Sequence, residues 1–352
     1  MSEQISETQS AAHECLAWVA AAFVVRAIFF FITPQVIDSA DSILYLEAAQ
    51  KFSDGNFCNV YPRIPHLYPL LTAALSHVTA DIETAAIAIS FMCGCFLIVP
   101  VFLLSIVLHD RPSARVAALT VTIWPWLVDY SCRVAPEALY CLFWFESLRA
   151  ALGAMDGNRK LAFILPIFVA ALYLSRPEGI LIAPALLAAG FMFSTNKRAA
   201  VLHLLPACLV LVMIALVHYA YVQHLVAQTG IASRLTANAV QYSLVDRGRD
   251  TAATAMRLVF VVTPTMMGVL GIFAVVGIAA KSTTRDRRAE FMVAFLALAQ
   301  FAAAAMSTFA EPRYVMATII AISLWSARGA AILAAKAAAS ARWRALRFAP
   351  AA

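Results

Sequence analysis

Long apolar stretches alternate with short polar ones along almost the whole chain. A helix needs about 20 apolar residues to cross the hydrocarbon core of a bilayer. Ten stretches approach or exceed that length, and they predict spans at residues 15–32, 82–108, 112–127, 136–152, 161–175, 179–193, 199–219, 256–280, 291–307 and 314–335. The fifth and sixth are short. Joined into one helix, however, they would reach roughly 50 Å against a core of about 30 Å, so two spans are expected.

Two of the segments between predicted spans are long, 33–81 and 221–257. The first contains helical patterns in SILYLEAAQKF and, after several prolines, in YPRIPHLYPLLTAAL, where the apolar stretch is too short to span. We expect both to form helices that lie along the membrane surface. The prediction is an all-α polytopic membrane helix bundle of about ten spans. It forms one domain over residues 1–335, followed by a basic amphipathic tail at 336–352.

Composition and charge placement support a membrane protein. Hydrophobic residues make up 62% of the chain and charged residues 13%, with a mean hydropathy of +0.81, which excludes a soluble or disordered protein. The net charge of +6 does not predict nucleic-acid binding, because Lys and Arg are scattered between the apolar stretches. More than half of them lie in one alternating set of loops and the tail. The positive-inside rule therefore predicts a multi-pass protein of the inner (cytoplasmic) membrane with both termini cytoplasmic and segments 33–81 and 221–257 outside.

Acidic side chains concentrate at the predicted outer face. Asp38 and Asp41 follow the first span three residues apart, on one helical face. Spacing alone favours a capping role for them at the next helix, and the alternative is that one of them is a general base. Within the apolar stretches the main acidic candidate is Glu146, and Arg26 of another span is one candidate partner for it. Such a pair would suit an ion-coupled transporter.

Four arginines stand at predicted outer span ends, each next to Pro or an acid: Arg63, Arg133, Arg176 and Arg313. The planar guanidinium suits a phosphate because it donates two parallel hydrogen bonds and keeps its charge. The simpler alternative is interfacial anchoring with local ion pairs, Arg176 to Glu178 and Arg313 to Glu311.

Several familiar chemistries have no signature in the chain. HExxH, GxSxG, P-loop and paired-Cys zinc patterns are absent, which leaves metalloprotease, α/β-hydrolase and NTPase activities without support. Among the seven cysteines, only Cys58 and Cys132 are candidates for a disulfide.

Four stretches together resemble a known family. They are DSILYLEAAQKFSDG after the first span, IPHLYPLL in the first outer segment, RVAPEALYCLFW opening the fourth span, and LSRPEGILIAPALL followed much later by EPRYVMATI. In order and spacing they resemble the GT-C superfamily of membrane glycosyltransferases. The resemblance is to family 39, the dolichyl-phosphate-mannose protein mannosyltransferase-like enzymes that include the aminoarabinose transferase of lipid A.

The resemblance implies roles for individual residues. It implies a catalytic Asp at the start of the first outer segment with a Tyr four residues later and a Gly closing the helix, a pattern that Asp41, Tyr45 and Gly55 fit. Family members commonly have an acid directly after this Asp, where this chain has Ser42, so Asp38 is the candidate for a second carboxylate. The arginines would then bind the donor phosphate. Further residues of these stretches are candidate substrate-binding groups: His66, Glu137 and Glu178.

The resulting hypothesis is an inverting glycosyltransferase. It would move a hexose or pentose from a polyprenyl phosphate to a hydroxyl of a lipid, glycan or protein acceptor at the extracytoplasmic face, with Asp41 as general base. The donor arrives on a lipid because nucleotide sugars are not available there. The expected partners are this donor, the acceptor and membrane lipids, without a metal or other cofactor. The alternative is a transporter or flippase of lipid-linked sugars, which would share the apolar groove and the arginines.

Overall fold

All regular elements in the described part of the chain are helices, as the apolar pattern predicts. The computed structural model describes residues 2–33, 37, 39–58, 60–79, 81–231, 250–259, 269–280, 287–306 and 311–347. Residues 250–259 are helical, and 3₁₀ turns lie at Pro177–Leu181 and Pro312–Val315. We number the other helices α1 (Ser2–Ile32), α2 (Ala40–Ser53), α3 (Leu67–Thr79), α4 (Ile82–Phe96), α5 (Ile98–Leu108), α6 (Arg111–Ile123), α7 (Pro125–Ser131), α8 (Glu137–Met155), α9 (Arg159–Ser175), α10 (Ile182–Phe193), α11 (Lys197–Thr229), α12 (Val269–Ala279), α13 (Arg287–Met306) and α14 (Met316–Arg347).

Five helical stretches in the described residues are long and apolar enough to cross a membrane by length and composition. They are Ser10–Ile32, Ile82–Leu108, Lys197–Thr229, Arg288–Ala305 and Arg313–Ser340. Two shorter apolar stretches, Pro177–Phe193 and Leu270–Ala279, coincide with other predicted spans. The helical bundle is thus confirmed, whereas the number of ten spans stays a prediction.

Proline divides two of the predicted spans into two helices each. Pro125 disfavours the helical conformation at Trp124, whose ψ is 120°, so α6 ends there and α7 begins. In the other span, Pro100 cannot donate a hydrogen bond to the carbonyl of Phe96, and the helix is interrupted at Leu97, between α4 and α5. These breaks introduce bends that hydropathy alone does not reveal.

The predicted fifth and sixth spans are separate helices, which confirms that they are not one. Arg176 is extended, with φ −155° and ψ 136°, because Pro177 follows it. The chain then turns so tightly that a Cβ on Gly179 would lie 2.7 Å from the carbonyl oxygen of Leu172. Only glycine fits this close approach, which leaves Arg176 at the corner between α9 and the following turn.

The first outer segment contains the two predicted helices, α2 and α3. The inward face of α2 carries Tyr45, Ala48 and Phe52, which pack with Tyr68 of α3 and Leu225 of α11 in one cluster. Their position along the membrane surface stays a prediction.

Two helices are longer than the sequence pattern predicts. Helix α11 runs to Thr229, ten residues past the predicted end of its span, and α14 continues from Met316 to Arg347 without a break. The basic tail is therefore an extension of the last helix as far as Arg347. About half of segment 221–257, residues 232–249, lies outside the described residues.

Candidate active site

Asp41 and Arg313 form an ion pair between α2 and the turn that precedes α14. Asp41 Oδ2 lies 3.0 Å from Arg313 Nη1. Ser39 caps α2, since its side chain accepts a hydrogen bond from the Ser42 N–H, so the capping role considered for Asp41 belongs to a neighbour. The Asp41 side chain is instead directed to Arg313, which also lies 2.5 Å from Glu311 Oε2.

Arg176 is the centre of a second, more deeply buried ion-pair group. Its Nη1 donates to Glu137 Oε1 at 2.9 Å, and its Nε lies 3.5 Å from Glu178 Oε2. Burial by itself would lower the pKa of Arg176, but the charges of Glu178 and Glu137 outweigh that effect and hold the pKa well above its usual value. The guanidinium therefore stays charged although its residue is only 6% exposed.

One aromatic ring supports both arginines. The Cζ atoms of Arg176 and Arg313 lie 4.4 and 5.4 Å from the centroid of the Tyr314 ring. Gln300 of α13 donates to the Tyr314 carbonyl at 3.3 Å, and its own side-chain oxygen accepts from the Tyr140 hydroxyl at 2.5 Å. Residues from α8, α13 and the turn before α14 thus fix the two guanidiniums in one cluster.

Buried serines hold the loop that precedes α8. Ser42 Oγ donates to the Val134 carbonyl and Ser90 Oγ to the Ala135 carbonyl, each at 2.9 Å. These bonds set the start of α8 and hence the position of Glu137. Ser42, which departs from the family pattern, is 2% exposed, so its side chain anchors the loop rather than facing the arginines.

Tyr45 and Tyr130 border the arginine cluster. Tyr45 lies one helical turn after Asp41 and is 6% exposed, with its ring edge-on to Tyr68 at 5.6 Å. Burial raises the pKa of Tyr130 to about 12; the negative charge of Glu137 adds to this effect and Arg313 opposes it. Both tyrosines therefore belong to the same region as the ion pairs.

The remaining predicted site residues have other surroundings. Arg133 pairs with Asp129, one turn earlier, at 2.7 Å, and Arg63 is half-buried between α2 and α3. His66 Nδ1 shares a hydrogen bond of 2.8 Å with His218 Nε2 of α11, and His218 Nδ1 bonds the Tyr173 hydroxyl at 3.0 Å. Asp38 lies outside the described residues.

Two expectations from the sequence are wrong. Glu146 pairs with Arg149 at 2.6 Å and not with Arg26, because the residue three positions along the same helix is nearer than any other span. Arg26 is fully buried and donates to the carbonyl oxygens of Val121 and Thr122. Cys58 and Cys132 do not form a disulfide: both are free, Cys58 exposed and Cys132 buried.

Sequence reasoning missed Gln300 entirely. It is a single amide within the apolar stretch 291–307, and a polar side chain in such a stretch is the signal that could have identified it. Tyr140 and Tyr314 also contact Arg176, and tyrosines at span ends are typical of an interfacial belt, so the sequence alone does not distinguish these two.

An apolar groove opens between α9 and α11. It has a volume of about 750 Å³. Its lining includes Leu174, two residues before Arg176, and extends along both helices to Ala162, Phe163, Pro166, Leu202 and Pro206. The groove thus reaches a residue two positions before Arg176 in the chain and continues along the apolar part of the bundle. Among the described residues, no group of three or more His, Cys, Asp or Glu side chains could hold a metal ion.

The chain is similar to known proteins in sequence and in fold. The sequence model of the family described as dolichyl-phosphate-mannose-protein mannosyltransferase matches residues 64–226. A crystal structure of ArnT from Cupriavidus metallidurans bound to undecaprenyl phosphate is similar, with a TM-score of 0.65 and 13% identity over 89% of this chain and 59% of that one. The chain therefore has a fold similar to that of ArnT. The apo form of the same ArnT matches with a TM-score of 0.63 and 14% identity, over 91% of this chain and 60% of that one.

The chain is also similar to the solved structure of an archaeal enzyme. The archaeal oligosaccharyltransferase AglB from Archaeoglobus fulgidus, in complex with an inhibitory peptide and a dolichol-phosphate, has a TM-score of 0.61 and 16% identity over 97% of this chain and 52% of that one. This chain therefore spans between about half and three fifths of the length of these solved structures. No curated protein matches it in sequence.

Proposed function

We propose that the protein is a glycosyltransferase that moves a sugar from a polyprenyl-phosphate donor to an acceptor hydroxyl at the extracytoplasmic membrane face. The observation that carries the proposal is the contact between Asp41 and Arg313, which brings a carboxylate and a phosphate-binding type of side chain together in a GT-C fold. The undecaprenyl phosphate in ArnT and the dolichol-phosphate in AglB support a lipid-phosphate donor.

In the proposed step Asp41 is the general base. It takes the proton of the acceptor hydroxyl while the acceptor oxygen bonds to the anomeric carbon of the sugar. The bond from that carbon to the phosphate oxygen breaks, and its electron pair leaves with the phosphate. Attack from the side opposite the leaving group inverts the configuration.

Arg176 and Arg313 are the proposed phosphate ligands. Both guanidiniums lie against Tyr314, and preorganised cations stabilise the negative charge that grows on the leaving phosphate. This assignment places charge stabilisation on the two arginines and includes no metal cofactor. The apolar groove that begins at Leu174 suits a polyprenyl tail, because the lipid could then reach Arg176 without leaving an apolar surface.

Glu137 and Glu178 are proposed to bind sugar hydroxyls. Glu137 Oε2 is buried and makes no hydrogen bond, and the buried Glu178 Oε2 has only the 3.5 Å ion-pair contact with Arg176 Nε. Such oxygens favour a ligand that brings hydroxyl donors, because a buried acceptor without a partner is costly. A sugar supplies several.

The test is transfer by the Asp41→Asn variant in proteoliposomes that contain a polyprenyl-phosphate sugar. Loss of a positioned base should reduce the transfer rate about 10²–10⁴-fold without weakening donor binding. Asp54→Asn is the matched control, since Asp54 is an exposed acid at the other end of α2 and should leave the rate unchanged. Unchanged transfer by Asp41→Asn would contradict the proposal. A flippase would instead move the lipid across the bilayer without transferring its sugar, and would tolerate the substitution.

A further inference from the structure

The two arginines of the candidate site are already occupied by carboxylates. Arg313 contacts Asp41 at 3.0 Å and Glu311 at 2.5 Å, and Arg176 contacts Glu137 and Glu178. Four carboxylates thus surround two guanidiniums, which leaves the cluster with excess negative charge before any phosphate arrives. The carboxylates face Nη1 and Nε of each arginine, so a phosphate that takes two parallel hydrogen bonds from one guanidinium must displace a carboxylate from one of these groups.

Burial indicates which contact can exchange. The side chains of Arg176 and Glu137 are 7% and 3% exposed, and separating them would leave buried charges without partners, which is strongly unfavourable. The side chains of Arg313 and Asp41 are 19% and 29% exposed. Asp41 also lies in the first turn of α2, where the helix dipole stabilises its charge whether or not Arg313 is present.

The ion pair also affects what Asp41 can do as a base. Its Oδ2 faces Arg313 Nη1, so a lone pair of that oxygen is committed to the guanidinium, and the contact restricts the incoming hydroxyl to the remaining lone pairs of the carboxylate. An Asp41 that has lost this contact regains the oxygen as a proton acceptor. The same contact therefore controls both the phosphate ligand and the base.

We propose that Asp41 and the donor phosphate compete for Arg313. In the ligand-free protein Arg313 holds Asp41, and donor binding draws the guanidinium to the phosphate and frees Asp41 to accept the proton of the acceptor. This inference rests on the proposed function, and it adds an order: both oxygens of the Asp41 carboxylate become available to the acceptor only after the donor is bound. Arg313 thus acts first as a positioning residue for Asp41 and then, after the donor has bound, as a ligand of the phosphate.

The test is the affinity of purified protein for undecaprenyl phosphate, with undecaprenol, which lacks the phosphate, as the reference ligand. Competition predicts that Asp41→Asn binds undecaprenyl phosphate more tightly than wild type, by about two- to fivefold, the range expected for removing one partly exposed ion pair. In an Arg313→Gln background the same Asp41→Asn substitution should change the affinity by less than about 1.5-fold. An Arg313→Lys background, which keeps the charge, should retain part of the effect.

Matched controls and a folding check complete the design. Glu146→Gln removes the carboxylate of another arginine pair, with Arg149, and should leave the affinity unchanged. Melting temperatures of all variants identify any that are misfolded, and the Arg313→Lys series then replaces Arg313→Gln.

Each result has a distinct meaning. If Asp41→Asn leaves the affinity equal or weaker, the competition is refuted, while a wild-type preference for undecaprenyl phosphate over undecaprenol still supports the proposed donor class. If Asp41→Asn raises the affinity for undecaprenyl phosphate equally with and without Arg313, the competition is also refuted. Such a result would reflect only the general loss of a negative charge. If wild type binds the phosphate and the alcohol equally, both this inference and the proposed function fail.

Discussion

Tyr314 supports both guanidiniums of the candidate site on one ring, so its side chain has a role that neither arginine can fulfil alone. We expect Tyr314→Phe to keep near-normal transfer, because the ring remains. Tyr314→Leu should raise the donor KM about tenfold, in line with a cation–π contribution of about 0.5–2 kcal/mol per arginine. The measurement is the transfer rate against donor concentration.

The control for this prediction is Tyr219→Leu, since Tyr219 is 50% exposed on α11 and its loss should leave the KM unchanged. An equally large effect of Tyr314→Phe and Tyr314→Leu would show that the hydroxyl group, and not the ring, is what matters.

His66 predicts a dependence of stability on pH. Burial, and to a lesser extent His218, lowers the pKa of His66 to about 3, whereas an unfolded His has a pKa of about 6.5. Below pH 6.5 the unfolded state therefore binds a proton that the folded state does not. The free energy of unfolding should fall as the pH decreases from about 6.5 towards 3, by up to about 1.4 kcal/mol per pH unit.

Melting temperatures in detergent across this pH range provide the measurement for His66. His66→Gln cannot titrate and should show a flatter profile, whereas His77→Gln, at an exposed position on α3, should behave as wild type. A wild-type profile in His66→Gln would show that other groups cause the acid sensitivity.

At the scale of elements, small residues determine how closely helices α12 and α14 approach. A Cβ on Gly329 would lie 1.8 Å from the Phe273 carbonyl oxygen, and one on Gly277 would lie 2.0 Å from the Trp325 carbonyl oxygen. We expect Gly329→Leu to destabilise the protein by about 1–3 kcal/mol, because the helices must separate. Ala334→Leu, at an exposed position of the same helix, should have little effect on the melting temperature.

The charged residues of the candidate site lie at the ends of helices, so the packing of the helices determines where these residues meet. Arg176 lies at the sharp turn after α9, Glu137 begins α8, Asp41 lies in the first turn of α2, and Arg313 is in the turn before α14. If Gly329→Leu melts like wild type, the close approach of the two helices is not required for stability.

At the scale of the whole molecule, the proposed function requires the candidate site to face outward. The positive-inside rule predicts that segment 33–81 is outside and residue 198 inside. Cys58 is exposed and free, so an impermeant thiol reagent should label it in intact cells, with Cys58→Ser as the control. A cysteine introduced as Arg198→Cys, in the Cys58→Ser protein, should react only after the cells are opened. The reverse pattern would place the candidate site in the cytoplasm.

The sequence by itself determined the helices of this protein. Hydropathy and helical periodicity depend on neighbouring residues, so the all-α bundle, the separation of α9 from α10 and the two helices of the first outer segment were predictable. Local charge patterns also predicted contacts of Arg176 with Glu178 and of Arg313 with Glu311. The breaks at Trp124 and Leu97 were predictable as well, because Pro125 and Pro100 are visible in the sequence.

Only the tertiary structure decided which distant residues meet. Asp41 and Arg313 come from opposite ends of the chain, and Arg176 meets Glu137 across two helices. No spacing rule connects them, because their approach depends on how α2, α8, α9 and α14 pack and on buried bonds such as Ser42 to Val134. The pair of Glu146 and Arg149 is different, because helical spacing within α8 brings these two side chains together without any tertiary contact.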